Sequence, residues 1–117
     1  MLPDQNRLRQ REEFAQVYAN GDRYRGTYLM LRILKIKGDS KNTKIGIVVS
    51  KKVSKLAVSR NRFKRQLRAI LRQLLSQLDK QLRIVITVTT QSEPSYQQLQ
   101  EDLKNLLTKA KVLQHGS

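Results

Sequence analysis

Cysteine is absent from the 117 residues and histidine occurs once, at His115, so neither a disulfide framework nor a zinc-ligand set is available. Acids are scarce: nine Asp and Glu stand against 24 Lys and Arg, leaving a net charge of +15. The neighbouring acids, Glu12-Glu13 and Glu101-Asp102, read as helix-surface pairs, not as a site for acid–base work or metal binding. Long apolar runs are also missing. The longest, Ile45–Val49, is far short of a membrane span. The first residues, Met1-Leu2-Pro3-Asp4-Gln5, lack the apolar region of a signal peptide. The expectation is a soluble cytoplasmic protein with no membrane partner, no catalytic residue of its own and no bound metal.

What the chain has in excess is positive charge, and the charge is clustered. Lys51, Lys52, Lys55, Arg60, Arg62, Lys64, Arg65, Arg68 and Arg72 follow one another with no acid between them, so this segment holds +9 of the net charge. Self-repulsion on that scale destabilises a compact state unless a polyanion relieves it. A merely solvated basic face would carry interspersed acids. The clustering therefore points to nucleic acid.

The length suits one domain with one core, residues 1–117, with ends 1–8 and 112–117 expected to be flexible. Residues 10–19 read as a short helix with Glu12 and Glu13 in its first turn, Phe14, Val17 and Tyr18 on one face, and Asn20-Gly21 as its C-cap. Strand-like residues 28–37 and 44–50 flank the polar turn 38–42 and suggest a hairpin. A helix over about 60–78 places Phe63, Leu67, Ile70, Leu71, Leu74, Leu75 and Leu78 on one side. Arg62, Arg65, Arg68 and Arg72 fall opposite, with Lys64 on the flank. Residues 83–90 are β-branched and strand-like. Ser95 and Gln98 form a capping box opening a last helix with Tyr96, Leu99, Leu103, Leu106 and Leu107 inward. The order is αββαβα. It predicts an α+β sandwich, a small mixed sheet of about four strands with helices packed on it, and a crossover from 44 to 90.

The basic helix opens with Ser59-Arg60-Asn61-Arg62, where the helix dipole disfavours cations. Free backbone N–H groups and two guanidinium forks at that end suit a phosphate. The competing reading pairs these arginines with acids elsewhere in the fold. Phe14 and Tyr18 are open between two roles, core packing and stacking of unpaired bases. Two functions open to such a chain are a structural protein of a ribonucleoprotein and a DNA-binding regulator. A major-groove reader would display more Asn and Gln than this helix does.

The run Ile45-Gly46-Ile47-Val48-Val49-Ser50-Lys51-Lys52-Val53, followed by Ala57-Val58-Ser59-Arg60-Asn61-Arg62-Phe63-Lys64-Arg65-Gln66-Leu67-Arg68, closely resembles the protein subunit of bacterial ribonuclease P. Arg60-Asn61-Arg62 with Lys64, Arg65 and Arg68 is that family's signature. Arg7-Leu8, Glu13-Phe14, Val17-Tyr18 and Gly21 resemble its first helix, and Ser95-Tyr96 with Leu99 its last.

The resemblance implies an auxiliary subunit of an endoribonuclease whose RNA is the catalyst and holds the Mg²⁺. The protein would bind that RNA, one copy to one, together with the 5′ leader of precursor tRNA. It would broaden the substrate range and support activity at low Mg²⁺. By this likeness Arg60, Asn61, Arg62, Lys64, Arg65 and Arg68 face RNA. A leader-binding cleft takes in Phe14, Val17, Tyr18, Leu31, Lys64 and Arg68, and the βαβ crossover is left-handed. The chain departs from the family at three places. Ser54-Lys55-Leu56 stands in a slightly longer loop, Leu31 stands where the first long strand often offers an aromatic, and Arg83 and Thr89 replace the usual ends of the strand 83–89.

Overall fold

The computed structural model describes residues 3–37, 42–49, 53, 57–90 and 92–113. Helix α1 spans Arg11–Asn20 and is followed by strand β1, Asp22–Arg25, and β2, Leu29–Lys35. Then come β3 at Lys44–Val49, α2 at Ala57–Leu74, β4 at Leu82–Val88 and α3 at Tyr96–Lys109. The fold is α+β, as the residue pattern predicts.

The four strands lie in the order β1-β2-β4-β3. β2 is antiparallel to β1 and β4, whereas β3 is parallel to β4. The hairpin expected between 28–37 and 44–50 therefore does not form, because β4 inserts between its arms. The physical reason lies in β4 itself. Its burial is almost continuous, so it needs a neighbour on each side and cover on both faces. The expected crossover does join neighbours in one sheet, running β3, α2, β4.

Side chains alternate between the two faces. On one, Leu29, Leu31, Ile33, Ile45, Ile84, Ile86 and Val88 pack under Phe63, Leu67, Ile70, Leu71 and Leu74 of α2 and Leu99, Leu103, Leu106 and Leu107 of α3. Each fully buried leucine there contributes about 1.5–3 kcal/mol. On the other face α1 and the segment before it pack on the sheet, over a small cluster of Leu8, Val17 and Val85 with Phe14, Leu34 and Val48 at its margin.

Local chemistry fixes the ends. Ser95 Oγ accepts from the Gln98 N–H at 3.2 Å while Gln98 Oε1 accepts from the Ser95 N–H at 2.8 Å, so the expected capping box is present. Gly21 follows α1 in extended conformation and donates its N–H to the Val17 carbonyl at 2.8 Å. α2 ends at Leu74, earlier than expected, and Leu75–Gln77 tighten into a 3-10 turn.

Of the ends expected to be flexible, the described parts are docked. Leu8 is buried and its N–H donates to the Ile45 carbonyl at 2.9 Å. Val112 is buried, and Leu113 bridges to Leu78.

Two acids that read as surface residues are structural. Asp102 is 7% exposed and accepts three backbone N–H bonds at 2.9–3.0 Å, from Thr27, Tyr28 and Leu29. Glu13 turns toward the sheet and pairs with Arg83 at 3.3 Å and Lys44 at 3.5 Å. Arg83 is itself buried and also donates to the carbonyls of Asn42 and Leu82.

Candidate nucleic-acid interface

The sequence of α2 contains no acid between Ala57 and Leu74. Packing of Phe63, Leu67, Ile70 and Leu71 into the core turns Asn61, Arg62, Arg65 and Arg72 fully outward. Arg60, Lys64 and Arg68 stand half-buried on its flanks. Among the described residues, Arg62, Lys64, Arg65, Arg68 and Arg72 make no ion pair with an acid. For these five, no described acid provides the neutralising partner of the competing reading. Lys51, Lys52 and Lys55, and with them the loop at Ser54-Lys55-Leu56, lie outside the described residues.

One expectation about this helix is corrected. It begins at Ala57 rather than near Arg60, so Arg60 closes its opening turn and Arg62 sits beyond it. Arg62 therefore belongs to the side of the helix and not to the free N–H groups at its mouth.

A second surface meets this one at the edge strand β3. Arg7, Arg9, Phe14, Gly46, Ile47 and Arg68 line a concavity there, so Arg68 connects the basic side of α2 with the α1 side of the sheet. The ring of Phe14 is half-buried against Gly46, whose missing side chain leaves it room. Tyr18, one turn further along α1, is 46% exposed, and the Arg32 guanidinium lies 4.6 Å from its ring centroid, a cation–π contact.

Of the residues expected together in front of α1, Phe14 and Arg68 line this concavity, and Tyr18 lies one turn further along the helix. Val17 does not line it: it is fully buried beneath α1. Leu31 is fully buried on the opposite face, in the core under α2 and α3. The residue that β2 offers to the cleft is Arg32, one position on, because adjacent residues of a strand point to opposite faces. Lys64 shares the flank of α2 with Arg68, one turn away, but does not line the concavity.

Sequence reasoning does not single out Arg7, Arg9 or Arg32 for this cleft. For Arg32 a signal exists: a lone cation amid Leu29–Leu34 marks which side of the strand is wet. Among the described residues no three of His, Cys, Asp and Glu come together as a metal-binding group. No described helix is long and apolar enough to cross a membrane.

A row of cations on α2 that runs into a concavity bordered by an aromatic ring suits single-stranded nucleic acid. Comparison with known proteins gives it a family. A family model for Ribonuclease P matches residues 2–111. The chain belongs to the ribonuclease P protein family. The Ribonuclease P protein component of Pseudanabaena is 71% identical over 118 residues, covering 100% of both chains. That of Rippkaea orientalis is 44% identical, over 96% of this chain and 91% of its own. Among solved structures, the Staphylococcus aureus RNase P protein superposes with a TM-score of 0.83 at 25% identity, covering 92% of this chain and 97% of that one. The Thermotoga maritima RNase P protein, solved with 1-(4-fluorophenyl)-2-thiourea, gives 0.77 at 28% identity over 88% and 98%. The ribonuclease P fold therefore extends over nearly the whole chain, both surfaces included.

Proposed function

We propose that this chain is the protein subunit of ribonuclease P, an auxiliary component of the endoribonuclease that removes the 5′ leader from precursor tRNA. The basic side of α2, centred on Arg62, Arg65 and Arg72, holds the catalytic RNA, one protein to each RNA. The cleft bordered by Phe14, Tyr18, Arg32 and Arg68 takes the single-stranded leader. The observation that carries this reading is the position of Arg68, on the cation row and in the wall of the Phe14 concavity at once. A chain bound to phosphates along α2 can pass to the cleft by way of Arg68.

The catalytic groups belong to the RNA. On the protein, the carboxylates with fixed partners are committed to structure: Asp102 to backbone N–H groups, Glu13 to Arg83 and Lys44. Mg²⁺ is accordingly assigned to the RNA, where phosphate oxygens suit a hard cation. The protein's contribution is to neutralise phosphates and hold the leader, which broadens the substrate range and lowers the Mg²⁺ the RNA needs. The site of action is the cytoplasm, where precursor tRNA is made.

The test is affinity of the reconstituted ribonucleoprotein for precursor and mature tRNA across a salt series. Tighter binding of the precursor, reduced by Arg68→Ala, is the expected result. Equal affinity for both substrates would contradict the leader assignment.

A further inference from the structure

The strand registers lay two rows of residues across the α1 face of the sheet. One row is Arg23, Arg32, Val85 and Gly46, and the other is Arg25, Met30, Thr87 and Val48. α1 sits over the first: Phe14 lies on Gly46, Val17 packs with Val85, and Tyr18 meets Arg32. The second row lies on the same face beside the first, two residues away along each strand. Arg25 at its end is exposed, and Met30, Thr87 and Val48 are half-buried.

In the middle of that row, Thr87 Oγ1 is enclosed and has no hydrogen-bond partner, the one such side-chain atom among the described residues. A buried hydroxyl without a partner costs stability, and valine has nearly its shape without that cost. The rest of β4 shows what the fold alone asks for, since its neighbours are Ile84, Val85, Ile86 and Val88.

We propose that Thr87 is a base-contacting residue for the leader, an inference that rests on the function proposed above. A nucleobase leaving the Phe14 end of the cleft seats over Val48 and Met30, beside the α1 wall. The unbranched Met30 side chain turns aside, as methionine does at adaptable surfaces, and Oγ1 hydrogen-bonds the polar edge of the base. Arg25 and the Arg32–Tyr18 pair then receive the next phosphates and base toward the β1 edge. The hydroxyl is retained against its cost in the free protein because a ligand satisfies it.

The experiment compares wild type, Thr87→Val and Thr87→Ser in the reconstituted ribonucleoprotein, using precursor tRNAs with one leader nucleotide at a time made abasic, and mature tRNA as control. Thermal unfolding of each free protein is measured alongside. Thr87→Val is expected to melt no lower than wild type, to lose about 2- to 10-fold in precursor affinity, and to leave mature tRNA binding unchanged. At one leader position the abasic penalty should shrink in the valine variant and persist in the serine variant, a coupling of the kind double-mutant cycles isolate. A valine variant that is more stable and binds precursor as wild type does would overturn the inference alone. So would a serine variant that loses as much as valine, since that marks a packing role. Wild-type protein with no preference for precursor over mature tRNA would sink the leader assignment as well.

Discussion

The Phe14 ring rests on the backbone of Gly46: a Cβ built on that glycine would stand 2.5 Å from the ring's Cζ. The edge of the sheet and the aromatic wall of the cleft are thereby one unit. A methyl group at Gly46 must push the ring away or shift β3, so Gly46→Ala is expected to destabilise the fold by about 1–3 kcal/mol. It should also weaken precursor tRNA binding in the protein that still folds. Chemical denaturation and binding by the same preparation check both halves.

Phe14→Ala removes the ring and keeps the glycine. Loss of a stacked base is expected to weaken precursor binding by about 1–3 kcal/mol, with mature tRNA affinity nearly unchanged. Equal losses for the two substrates would return Phe14 to a purely packing role.

Arg65 and Arg68 differ in what they touch although both lie on α2. Replacing either by Ala should lower affinity for the catalytic RNA and reduce the log–log salt slope by about one for each phosphate no longer neutralised. Only Arg68→Ala should in addition narrow the gap between precursor and mature tRNA. A slope that stays fixed in both variants would show that the cation row does not bind the RNA.

Asp102 and Gly26 show how a turn is tied to a distant helix. The Asp102 carboxylate receives the N–H groups of Thr27, Tyr28 and Leu29, and a Cβ on Gly26 would fall 2.5 Å from its Oδ1. Asp102→Ala leaves three donors short of a partner and is expected to cost about 3 kcal/mol. The salt slope of RNA binding should not move, because no cation of α2 takes part. A denaturation midpoint equal to wild type would contradict this account of the β1–β2 turn.

Glu13 should separate stability from binding. It counters Arg83 and Lys44 beside the cleft. Glu13→Gln leaves that pair of cations without their counter-charge, at an expected cost of about 1–3 kcal/mol for this partly exposed network. The same change adds positive charge near the leader path, so RNA affinity at low salt is expected to rise while the melting temperature falls. Both quantities falling together would mean the ion pairs hold the cleft open.

Much of this is legible in the residues because the information is local. The apolar stripe of α2 and its opposite arginines follow from a 3.6-residue period, and the Ser95–Gln98 box marks the start of α3 by itself. What stays hidden depends on distant partners. β1 is four residues long and three of them, Asp22, Arg23 and Arg25, are charged, so it looks like a loop until β2 pairs with it. Strand order depends on β4 needing two neighbours, which no turn signal reveals. Leu31 reads as a cleft residue only through a one-residue slip, since Leu29, Leu31 and Ile33 alternate with Met30, Arg32 and Leu34 and both sets hold apolar residues. Asp102 looks like a surface acid because its partners lie more than 70 residues earlier in the chain.

The most direct test is cleavage of precursor tRNA at low, near-physiological Mg²⁺ by a bacterial ribonuclease P RNA alone, by this protein alone and by the two together. The account expects release of the 5′ leader only from the mixture, with the protein inactive by itself through repurification and nuclease treatment. Cleavage by the protein alone, or tight RNA binding with no stimulation of a cognate RNA, would contradict it.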